Sequence, residues 1–475
     1  MYSKFRKTKI ICTVGPATDN DDVMKKLMQN GMNCARFNFS HGDYNEHRKR
    51  FEQIEKMRNE LGLPIATMLD TKGPEVRTGL FKDGYAILKK GSKFTLTTED
   101  VEGNSEICSV TYENLPKEVK TGSFILVDDG LISLEVTGTD DKNVYCKVLD
   151  GGMIKNRKGI NVPNVTLAMP YLSQKDISDL QFGAEMKFDY IAASFVRTAA
   201  DIDYLRNFTK SLGWQNVRIV AKVENGDAIK NIDEIIKAAD GIMVARGDLG
   251  VEVPFEKIPS IQKKIIKKCA DAGKHVITAT QMLDSMINNP RPTRAEITDV
   301  ANAVYDGTSA IMLSGETAAG KNPVEAVHVM DAIARAAESE IDYKHNFEVG
   351  SLDFERDITS AISHATVTTA HDLNASIITV TKSGITARSI SKYRPESVII
   401  GCTTSDVVFR QMNLSWGIVP VMCEEKNNTD ELFNHAVEVS LANNLIEKGD
   451  AVVITAGVPL GQAGTTNMLK VQQIQ

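Results

Sequence analysis

The sequence has little of what marks secreted, membrane or nucleic-acid-binding proteins. Its 475 residues contain seven cysteines and no C-x-x-C pair, whereas secreted disulfide frameworks use more cysteines in shorter chains. The apolar run in the N-terminal MYSKFRKTKIICTVG is about five residues long, too short for a signal sequence or a membrane span. The 55 basic and 62 acidic residues leave a net charge of −7, which argues against nucleic-acid binding. We therefore expect a cytoplasmic protein with reduced thiols and neither nucleic-acid nor membrane partners.

The usual motifs of nucleotide and zinc enzymes are also missing. The chain contains no G-x-x-x-x-G-K-[S/T], no G-x-G spacing, no H-R-D loop and no H-E-x-x-H. A bound nucleotide would therefore lie on the rim of a pocket rather than in a phosphate-binding loop.

What the chain does contain is a regular alternation of short apolar runs with helical patterns. The length predicts about three domains, and alternation of this kind is typical of parallel βαβ units. The predicted strands are 9–14, 34–39, 65–69, 190–195, 218–223, 242–245, 275–279 and 309–313. Eight such units favour a closed α/β barrel, a (β/α)8 TIM barrel, with its chemistry at the carboxyl ends of the strands.

Two segments depart from this alternation. Between Asp70 and Tyr171 the pattern becomes strand-like, as in FTLTT and NVYCKVL, which predicts an all-β domain inserted after the third barrel strand as a lid. After a polar stretch, ASIITVT, SVIIGCT, GIVPVMC and DAVVITA predict an open doubly wound sheet. We expect a barrel from 1–70 and 171–342, a lid from 71–170 and a C-terminal α/β domain from 343–475.

Polar side chains stand at the ends of six predicted barrel strands. Residues two apart on a strand share a face, and the polar positions are Arg36, Asn38 and Ser40, Asp70 and Thr71, Lys222 and Glu224, Arg246 and Asp248, Thr280, and Ser314 and Glu316. Each alone is as easily a solvated strand end or a surface ion pair. Together, on one rim, they favour a shared pocket.

The residue types indicate what this pocket binds. Glu224 and Asp248 can hold one Mg²⁺ with positions left open for substrate oxygens. Arg36 and Lys222 supply positive charge for a transferring phosphoryl group. The oxygens that suit a weakly held monovalent cation belong to Asn38, Ser40, Asp70 and Thr71. We expect Arg246 to orient the turn that carries Asp248 from behind.

Two other places offer basic or hydroxyl groups. His41, Arg77 and Lys158 face the predicted lid and are candidates for nucleotide contacts, although a solvated charge is nearly as good an explanation for each. TKSGITAR (381–388) follows a strand and opens a helix, so it predicts either a phosphate cradle or a Ser/Thr-rich helix cap. TRAE has capping-box spacing, which predicts a helix start at Thr293.

Six blocks closely resemble pyruvate kinases, in a bacterial three-domain form without the extra C-terminal phosphotransfer-like domain of some relatives. The blocks are ARFNFSHGD (35–43), LDTKGPEVRTG (69–79), AKVENGD (221–227), MVARGDLGVE (243–252), ITATQMLDSMINNPRPTRAE (277–296) and MLSGETAAG (312–320). The resemblance implies phosphoryl transfer from phosphoenolpyruvate to ADP, the final step of glycolysis, with protonation of the resulting enolate to pyruvate.

The same resemblance implies a role for each matching residue. Arg36 and Lys222 would grip the phosphoryl group, with Lys222 also stabilising the enolate oxygen. Glu224 and Asp248 would ligate Mg²⁺ or Mn²⁺, and the amides of Gly247 and Asp248, with Thr280, would hold the substrate carboxylate. The positions that match the K⁺ ligands are Asn38, Ser40, Asp70 and Thr71, and Glu75 is the residue found in K⁺-dependent members.

The resemblance also implies a proton path, a nucleotide site and an effector site. Water near Thr280, Ser314 and Glu316 would protonate the enolate. His41, Arg77 and Lys158 match nucleotide-contacting positions, although Asn164 replaces the glycine that usually follows proline there. The loop that binds a sugar-phosphate activator in relatives corresponds to Thr381, Lys382, Ser383, Gly384 and Thr386. A homotetramer is the family expectation.

Two other functions remain open at this point. One is a Mg²⁺-dependent barrel lyase or aldolase acting on pyruvate or phosphoenolpyruvate, for which an inserted domain bearing Arg77 and Lys158 would have no purpose. The other is a catalytically inactive sugar-phosphate sensor, which the presence of Arg36, Lys222, Glu224 and Asp248 disfavours.

Overall fold

The computed structural model describes residues 5–350, 357–426, 428–458 and 466–475. In chain order the strands are β1 (Lys9–Thr13), β2 (Cys34–Asn38), β3 (Ala66–Asp70), β4 (Val76–Arg77), β5 (Tyr85–Leu88), β6 (Lys93–Thr97), β7 (Ile107–Ser109), β8 (Phe124–Val127), β9 (Ile132–Thr139), β10 (Asn143–Asp150), β11 (Gly152–Lys155), β12 (Gly159–Asn161), β13 (Tyr190–Ala193), β14 (Arg218–Val223), β15 (Gly241–Ala245), β16 (His275–Ala279), β17 (Ala310–Leu313), β18 (Ser376–Val380), β19 (Ile399–Thr403), β20 (Ile418–Met422), β21 (Ala451–Ala456) and β22 (Met468–Gln473).

The helices alternate with these strands except within the insertion. They are α1 (Asp21–Gln29), α2 (Tyr44–Leu61), α3 (Leu115–Glu118), α4 (Gln174–Met186), α5 (Ala199–Ser211), α6 (Gly226–Lys230), α7 (Ile232–Ala238), α8 (Arg246–Glu252), α9 (Ile258–Asp271), α10 (Arg294–Tyr305), α11 (Gly315–Ala318), α12 (Pro323–Ser339), α13 (Tyr343–Gly350), α14 (Ile358–Leu373), α15 (Ile385–Ser391), α16 (Asp406–Met412) and α17 (Thr429–Ala442). Within the described ranges, no helix has both the length and the apolar character needed to cross a membrane.

Eight parallel strands close into a barrel in the order β1-β17-β16-β15-β14-β13-β3-β2. This confirms the predicted barrel. Its strands read as continuous apolar runs because helices cover the outer face and side chains fill the interior. Met68, Tyr190, Met243 and Met312 belong to the inner cluster. A larger cluster lies between the strands and the surrounding helices.

The insertion after β3 forms a second, separate hydrophobic core. A seven-stranded sheet runs in the order β4-β12-β8-β9-β10-β6-β7, beside a two-stranded antiparallel sheet of β11 and β5. Phe94, Leu96, Leu134 and Val144 are buried in its core. The all-β character is as predicted, while the exact limits 71–170 stay a prediction.

The inserted sheet contacts the barrel rim through polar side chains. Asn161 Nδ2 donates to Glu252 Oε1 (2.8 Å), and Arg197 Nη1 donates to the carbonyl oxygen of Leu167 (2.7 Å). Because Glu252 ends the helix that begins with Arg246 and contains Asp248, the insertion stands over the carboxyl ends of the barrel strands.

The C-terminal sheet has the order β20-β19-β18-β21-β22. Its four parallel strands are the four predicted ones. The fifth, β22, pairs antiparallel with β21 and was not predicted from the sequence. It lies at the sheet edge and its side chains are exposed or half-buried, so MLKVQQ carries no apolar alternation from which to predict it.

Helix α10 begins as the capping box predicted. Thr293 Oγ1 accepts from the Glu296 amide (3.3 Å), and Glu296 Oε2 accepts from the Thr293 amide (2.7 Å). These reciprocal bonds satisfy two of the amides that a helix start leaves free.

Candidate active site

The end of β3 places a buried carboxylate between two cations. Asp70 Oδ2 accepts from Arg36 Nε at 2.6 Å, and Asp70 Oδ1 accepts from Lys222 Nζ at 3.1 Å. Burial acts to raise the pKa of Asp70, but Arg36 and Lys222 outweigh it and the pKa is lowered. Asp70 is therefore an anion that holds the two predicted phosphoryl-binding cations side by side.

Lys222 lies at the centre of this network. Its Nζ is 2.7 Å from Glu224 Oε1 and donates to Ser194 Oγ at 2.8 Å. Burial alone would lower the pKa of Lys222, but the charges of Asp70 and Glu224 more than offset burial and the pKa is raised. The ammonium group consequently serves as a fixed positive charge rather than as a base.

Glu224 and Asp248, the two carboxylates predicted to ligate a metal ion, lie close enough for their negative charges to interact. Burial raises the pKa of Glu224 to about 7, with a further contribution from the negative charge of Asp248, while Lys222 acts in the opposite direction. A divalent cation between the two carboxylates would offset that repulsion, and hard oxygen donors suit Mg²⁺. The residues present therefore fit the ion.

The protein supplies few ligands of its own to such an ion. No group of three or more His, Cys, Asp or Glu side chains placed to hold a metal occurs in the described part of the chain. Two carboxylates leave most positions of an octahedral ion to water and substrate oxygens, as in sites where Mg²⁺ bridges to a phosphate.

The turn after β13 contributes two residues that the sequence reasoning missed. Ser194 Oγ lies 2.6 Å from the Thr71 carbonyl oxygen and 3.3 Å from Asp70 Oδ1, besides accepting from Lys222. The amide of Phe195 donates to Glu224 Oε2 (2.6 Å). The turn therefore positions both side chains of the Lys222–Glu224 pair.

A signal for this turn was present in the sequence. Ser194 is a polar residue directly after the apolar run of β13, the same pattern that identified the other rim residues. The predicted strand 190–195 contains Ser194, so the residue does not stand out as a strand end. Phe195 has a φ of 52°, an uncommon conformation for a bulky residue that sequence patterns do not reveal.

The four predicted K⁺ ligands lie on the adjacent ends of β2 and β3. Asn38 pairs with Asp70 in the strand register, and Asn38 Oδ1 accepts from the Ser40 amide (3.1 Å). The Thr71 amide donates to the Ala192 carbonyl oxygen (3.0 Å). The structure thus brings their oxygen atoms to one part of the rim, where neutral oxygens and one carboxylate suit a monovalent cation.

The turn after β15 meets the end of β16. The amide of Gly247 donates to Thr280 Oγ1 (2.9 Å), and Thr280 itself has a φ of 66°. A β-branched residue in this region is an outlier, and such strain is common at functional sites. Two of the three groups predicted to hold a substrate carboxylate are therefore in contact.

Arg246 lies behind the same turn, as expected. Its Nη1 pairs with Asp299 Oδ1 (2.7 Å), and its Nη2 donates to the Thr280 carbonyl oxygen (2.7 Å). The guanidinium thereby ties together the ends of β15 and β16 and orients the turn.

Glu316 uses both carboxylate oxygens to hold backbone. Oε1 accepts from the Leu283 amide (3.1 Å) and Oε2 from the Ser314 amide (2.7 Å). Burial raises the pKa of Glu316. These contacts give Glu316 a positioning function at the end of β17, and its predicted part in proton delivery stays a prediction.

A cleft of about 290 Å³ lies between the inserted sheet and the barrel. Arg77, Lys158, Asp248 and Glu252 are among its lining residues. Arg77 Nη2 is 2.6 Å from Glu75 Oε2, and Lys158 Nζ is 2.8 Å from Asp128 Oδ1. The structure therefore brings two of the three predicted nucleotide-contacting residues into the cleft that Asp248 also lines.

The third residue, His41, lies elsewhere. It is exposed and its carbonyl oxygen is 3.0 Å from His47 Nε2. Asn164, where the family usually has glycine, has a φ of 64°. Asparagine tolerates this left-handed conformation better than most residues, so Asn164 adopts the backbone geometry that glycine favours.

The predicted effector loop is closed by its own side chains. Thr381 Oγ1 accepts from the Gly384 amide (3.0 Å), and Gly384 has a φ of 76°. Thr386 Oγ1 lies 2.9 Å from Thr466 Oγ1, and Lys382 Nζ lies 2.5 Å from Glu425 Oε1. The carbonyl oxygen of Ser383 accepts from Arg218 of barrel strand β14 and from Arg388 of α15.

Comparison with known proteins identifies the family of the chain. The pyruvate kinase barrel-domain model matches residues 5–327, and the pyruvate kinase alpha/beta-domain model matches residues 360–472. A pyruvate kinase of Clostridium acetobutylicum is 48% identical over 99% of this chain and 100% of the relative, and one of Staphylococcus saprophyticus is 50% identical over 99% of this chain and 80% of the relative.

A solved structure shows the same arrangement of elements. The crystal structure of a pyruvate kinase from Cryptosporidium parvum superposes with a TM-score of 0.94 at 40% identity, covering 100% of this chain and 97% of that one. The chain therefore belongs to the pyruvate kinase family and is an enzyme of that class.

Proposed function

We propose that the protein transfers the phosphoryl group of phosphoenolpyruvate to ADP, giving pyruvate and ATP. The observation that carries the proposal is the buried network of Arg36, Asp70, Lys222 and Glu224 beside Asp248. It presents fixed positive charge and a metal-binding carboxylate pair at one place. Phosphoryl transfer requires this combination, because charge spreads over the equatorial oxygens in the transition state.

Arg36 and Lys222 bind the transferring phosphoryl group in this mechanism. Asp70 fixes both cations before substrate arrives, so little reorganisation accompanies the reaction. Lys222, kept charged by its two carboxylate neighbours, also stabilises the negative charge that develops on the enolate oxygen when the phosphoryl group leaves.

Glu224 and Asp248 would hold Mg²⁺ or Mn²⁺, and Asn38, Ser40, Asp70 and Thr71 would hold K⁺. When bound, the divalent ion supplies positive charge that offsets the anionic substrate oxygens. Phe195 and Lys222 orient Glu224 for that purpose.

The Gly247 and Asp248 amides and the Thr280 hydroxyl bind the substrate carboxylate. In the structure the Gly247 amide donates to Thr280 Oγ1 and the Thr280 hydroxyl donates to the Ala279 carbonyl oxygen, so the substrate carboxylate would replace these two acceptors. Thr280, Ser314 and Glu316 border the side from which the enolate receives its proton, with Glu316 holding the Ser314 turn in place.

Arg77 and Lys158 bind the phosphates of ADP within the cleft, and His41 contributes only if it moves towards the cleft. The position of Arg77 and Lys158 over Asp248 favours a kinase over a lyase, because a lyase has no nucleotide to bind.

Membership of the family is the basis for our proposals on regulation and subunit assembly. We propose that residues 381–386 bind a sugar phosphate that activates a homotetramer, and that the enzyme catalyses the last step of glycolysis in the cytoplasm. The loop carries hydroxyls and backbone amides of the kind that bind phosphate, and a bound phosphate would replace the contacts of Thr381 with Gly384 and of Thr386 with Thr466.

The decisive assay measures pyruvate and ATP formed from phosphoenolpyruvate and ADP. We expect activity that requires Mg²⁺ and rises strongly with K⁺, and no pyruvate with both cations present would refute the proposal. Repeating the assay with a panel of sugar phosphates on the wild type and on Ser383→Ala tests activation separately, because basal turnover should be the same in both proteins.

A further inference from the structure

The carboxyl end of β1 holds a buried hydroxyl group beside Arg36. Thr13 is the last residue of β1, is buried, and pairs with Arg36 in the strand register. No site residue was predicted on this strand from the sequence, because Thr13 lies within the predicted strand 9–14 and threonine is common in β-strands. The contacts of its hydroxyl group give it a part in the site.

The hydroxyl group of Thr13 makes two hydrogen bonds of fixed direction. It donates its proton to the Leu313 carbonyl oxygen (2.9 Å), and its Oγ1 accepts from Arg36 Nη1 (2.9 Å). A carbonyl oxygen can only accept and an arginine can only donate, so neither bond can reverse. The two bonds therefore fix where the Nη1 side of the guanidinium lies.

Arg36 is held by the strands on both sides of its own. Strand β2 lies between β1 and β3 in the barrel. Asp70 at the end of β3 accepts from Arg36 Nε (2.6 Å), and Thr13 at the end of β1 accepts from Nη1. Because a guanidinium is planar, contacts at two of its nitrogen atoms fix its plane as well as its position. Its other N–H groups are left for a ligand.

The two acceptors differ in charge, and this difference matters for binding a phosphoryl group. Asp70 already offsets part of the charge of Arg36 and Lys222. A second carboxylate in place of Thr13 would offset more of it. A hydroxyl group instead orients the guanidinium and leaves its charge for an anionic ligand.

Thr13 also contacts the turn on the other side of β1. Its carbonyl oxygen accepts from Thr317 Oγ1 (2.8 Å), and the Leu313 carbonyl group that its hydroxyl contacts directly precedes Ser314. These contacts bracket the turn assigned to the side from which the enolate receives its proton. One residue of β1 therefore sets the phosphoryl-binding arginine against that turn.

We propose that Thr13 is a positioning residue for phosphoryl binding, whose hydroxyl group orients the guanidinium of Arg36 towards the transferring phosphoryl group. The inference rests on the proposed function, in which Arg36 binds that group. Thr13 acts through Arg36 and not on the substrate. Loss of the hydroxyl group should therefore weaken the contacts that Arg36 makes and leave the substrate's carboxylate and metal contacts unchanged.

Titration calorimetry with Mg²⁺ and K⁺ present and ADP omitted measures binding apart from turnover. Thr13→Val removes the hydroxyl group and keeps the shape of the side chain. We expect it to bind phosphoenolpyruvate at least about tenfold more weakly than the wild type, the equivalent of one hydrogen bond to a charged group. Oxalate, a dicarboxylate without a phosphoryl group, should bind both proteins equally.

Two further variants separate the orientation of Arg36 from a general disturbance of the barrel. Thr13→Ser keeps the hydroxyl group and should bind phosphoenolpyruvate like the wild type. Thr379→Val is the matched control, because Thr379 is also a buried strand residue whose hydroxyl group donates to a neighbouring strand, at the Ile400 carbonyl oxygen (3.3 Å). It lies in the C-terminal sheet and should bind both ligands like the wild type.

Equal phosphoenolpyruvate affinity in the wild type and Thr13→Val would overturn the inference. An equal loss of phosphoenolpyruvate and oxalate affinity would also overturn it, because such a loss indicates a general disturbance of the site. Neither result affects the proposed function. That proposal fails if the wild type binds no phosphoenolpyruvate or forms no pyruvate, and the inference then fails with it.

A crystal structure of the wild type with phosphoenolpyruvate and Mg²⁺ gives an answer even if Thr13→Val does not fold. We expect Arg36 Nη1 to keep its bond to Thr13 Oγ1 while another N–H group of the same guanidinium contacts a phosphoryl oxygen. A guanidinium turned away from Thr13 in the complex would contradict the positioning role.

Discussion

The two ends of the barrel bury cations in opposite ways. At the carboxyl end, Lys222 contacts Asp70 and Glu224 and its pKa is raised. At the amino end, Arg388 has a carbonyl acceptor and a neighbouring arginine, and its pKa is lowered. Burial opposes charge at both ends, so the neighbouring charges decide the outcome.

This difference also indicates what each end can bind. The carboxyl end combines Arg36 and Lys222 with three carboxylates, Asp70, Glu224 and Asp248, and suits a metal ion and an anionic substrate together. The amino end offers no matching set of carboxylates around Arg388 in the described part of the chain, because Asp240 already pairs with Arg206 and Arg218.

The largest effect should come from removing the cation at the carboxyl end. Lys222→Met deletes a fixed charge directed at the transition state, and we expect kcat to fall by at least about 10²–10³-fold. Steady-state assays at saturating Mg²⁺ and K⁺ measure it. Lys142→Met, which alters an exposed lysine of the insertion, should leave kcat within about twofold, and similar rates for the two variants would rule out the role given to Lys222.

Removing one carboxylate at each end of the barrel shows how much each contributes to the free energy of unfolding. Asp70→Asn removes the negative charge that pairs with the buried cations Arg36 and Lys222. We expect the free energy of unfolding to fall by about 3 kcal/mol. Asp240→Asn should cost about 1 kcal/mol, because the arginines that it pairs with are partly exposed. Urea denaturation measures both, and a larger loss for Asp240→Asn would reverse the comparison.

Ser194→Ala tests whether the turn after β13 positions Lys222. Loss of the hydroxyl removes an acceptor from Lys222 and a link to Thr71, and we expect kcat to fall about tenfold, the equivalent of one charge-assisted hydrogen bond. The KM for phosphoenolpyruvate should change less than kcat. Ser211→Ala, on an exposed helix end, serves as the control, and an effect confined to KM would contradict a positioning role.

The smallest effect concerns pH and the amino end. Because the folded pKa of His275 lies near 3 and an unfolded histidine has a pKa near about 6.5, the unfolded chain binds the additional proton between these values. Neutral His275 therefore makes its full contribution to the free energy of unfolding above about pH 6.5, and this contribution is lost as the pH falls. Between pH 7 and pH 5.5, His275→Gln should lose about 1 kcal/mol less stability than the wild type.

Urea denaturation at the two pH values measures this difference. His345→Gln, at an exposed position, should lose as much stability as the wild type. An unchanged loss in His275→Gln would show that burial and the neighbouring Arg388 and Arg218 do not keep this histidine neutral.

The parts of the fold that the sequence predicted are those with strong hydrophobic periodicity. All eight barrel strands are as expected because each is buried on both faces. The strand β22 was not predicted because its polar edge position leaves no pattern. The rim residues Asp70, Lys222 and Glu224 were found as polar interruptions of apolar runs, but their mutual contacts depend on neighbouring strands that are distant in sequence.

Other features of the site depend on backbone geometry and could not be read from residue types. Positive φ values at Phe195 and Thr280 arise from tertiary contacts that override local preference. Ser194 falls within the predicted strand 190–195, because a serine at a strand end is usually solvated and does not by itself indicate a site. The proximity of Arg388 to Arg218 follows only when two domains are placed together.

The order in which the barrel strands leave the ribosome bears on how the chain folds. The first strand closes the barrel by contact with the last, since Thr13 Oγ1 donates to the carbonyl oxygen of Leu313, 300 residues away. Similarly, the amide of Thr67 donates to Asp189, 122 residues away, across the whole insertion. Contacts of such long range form slowly. During synthesis, β1 to β3 must therefore wait with an unpaired strand edge while the inserted sheet folds, and this interval is when aggregation or chaperone capture is most favoured.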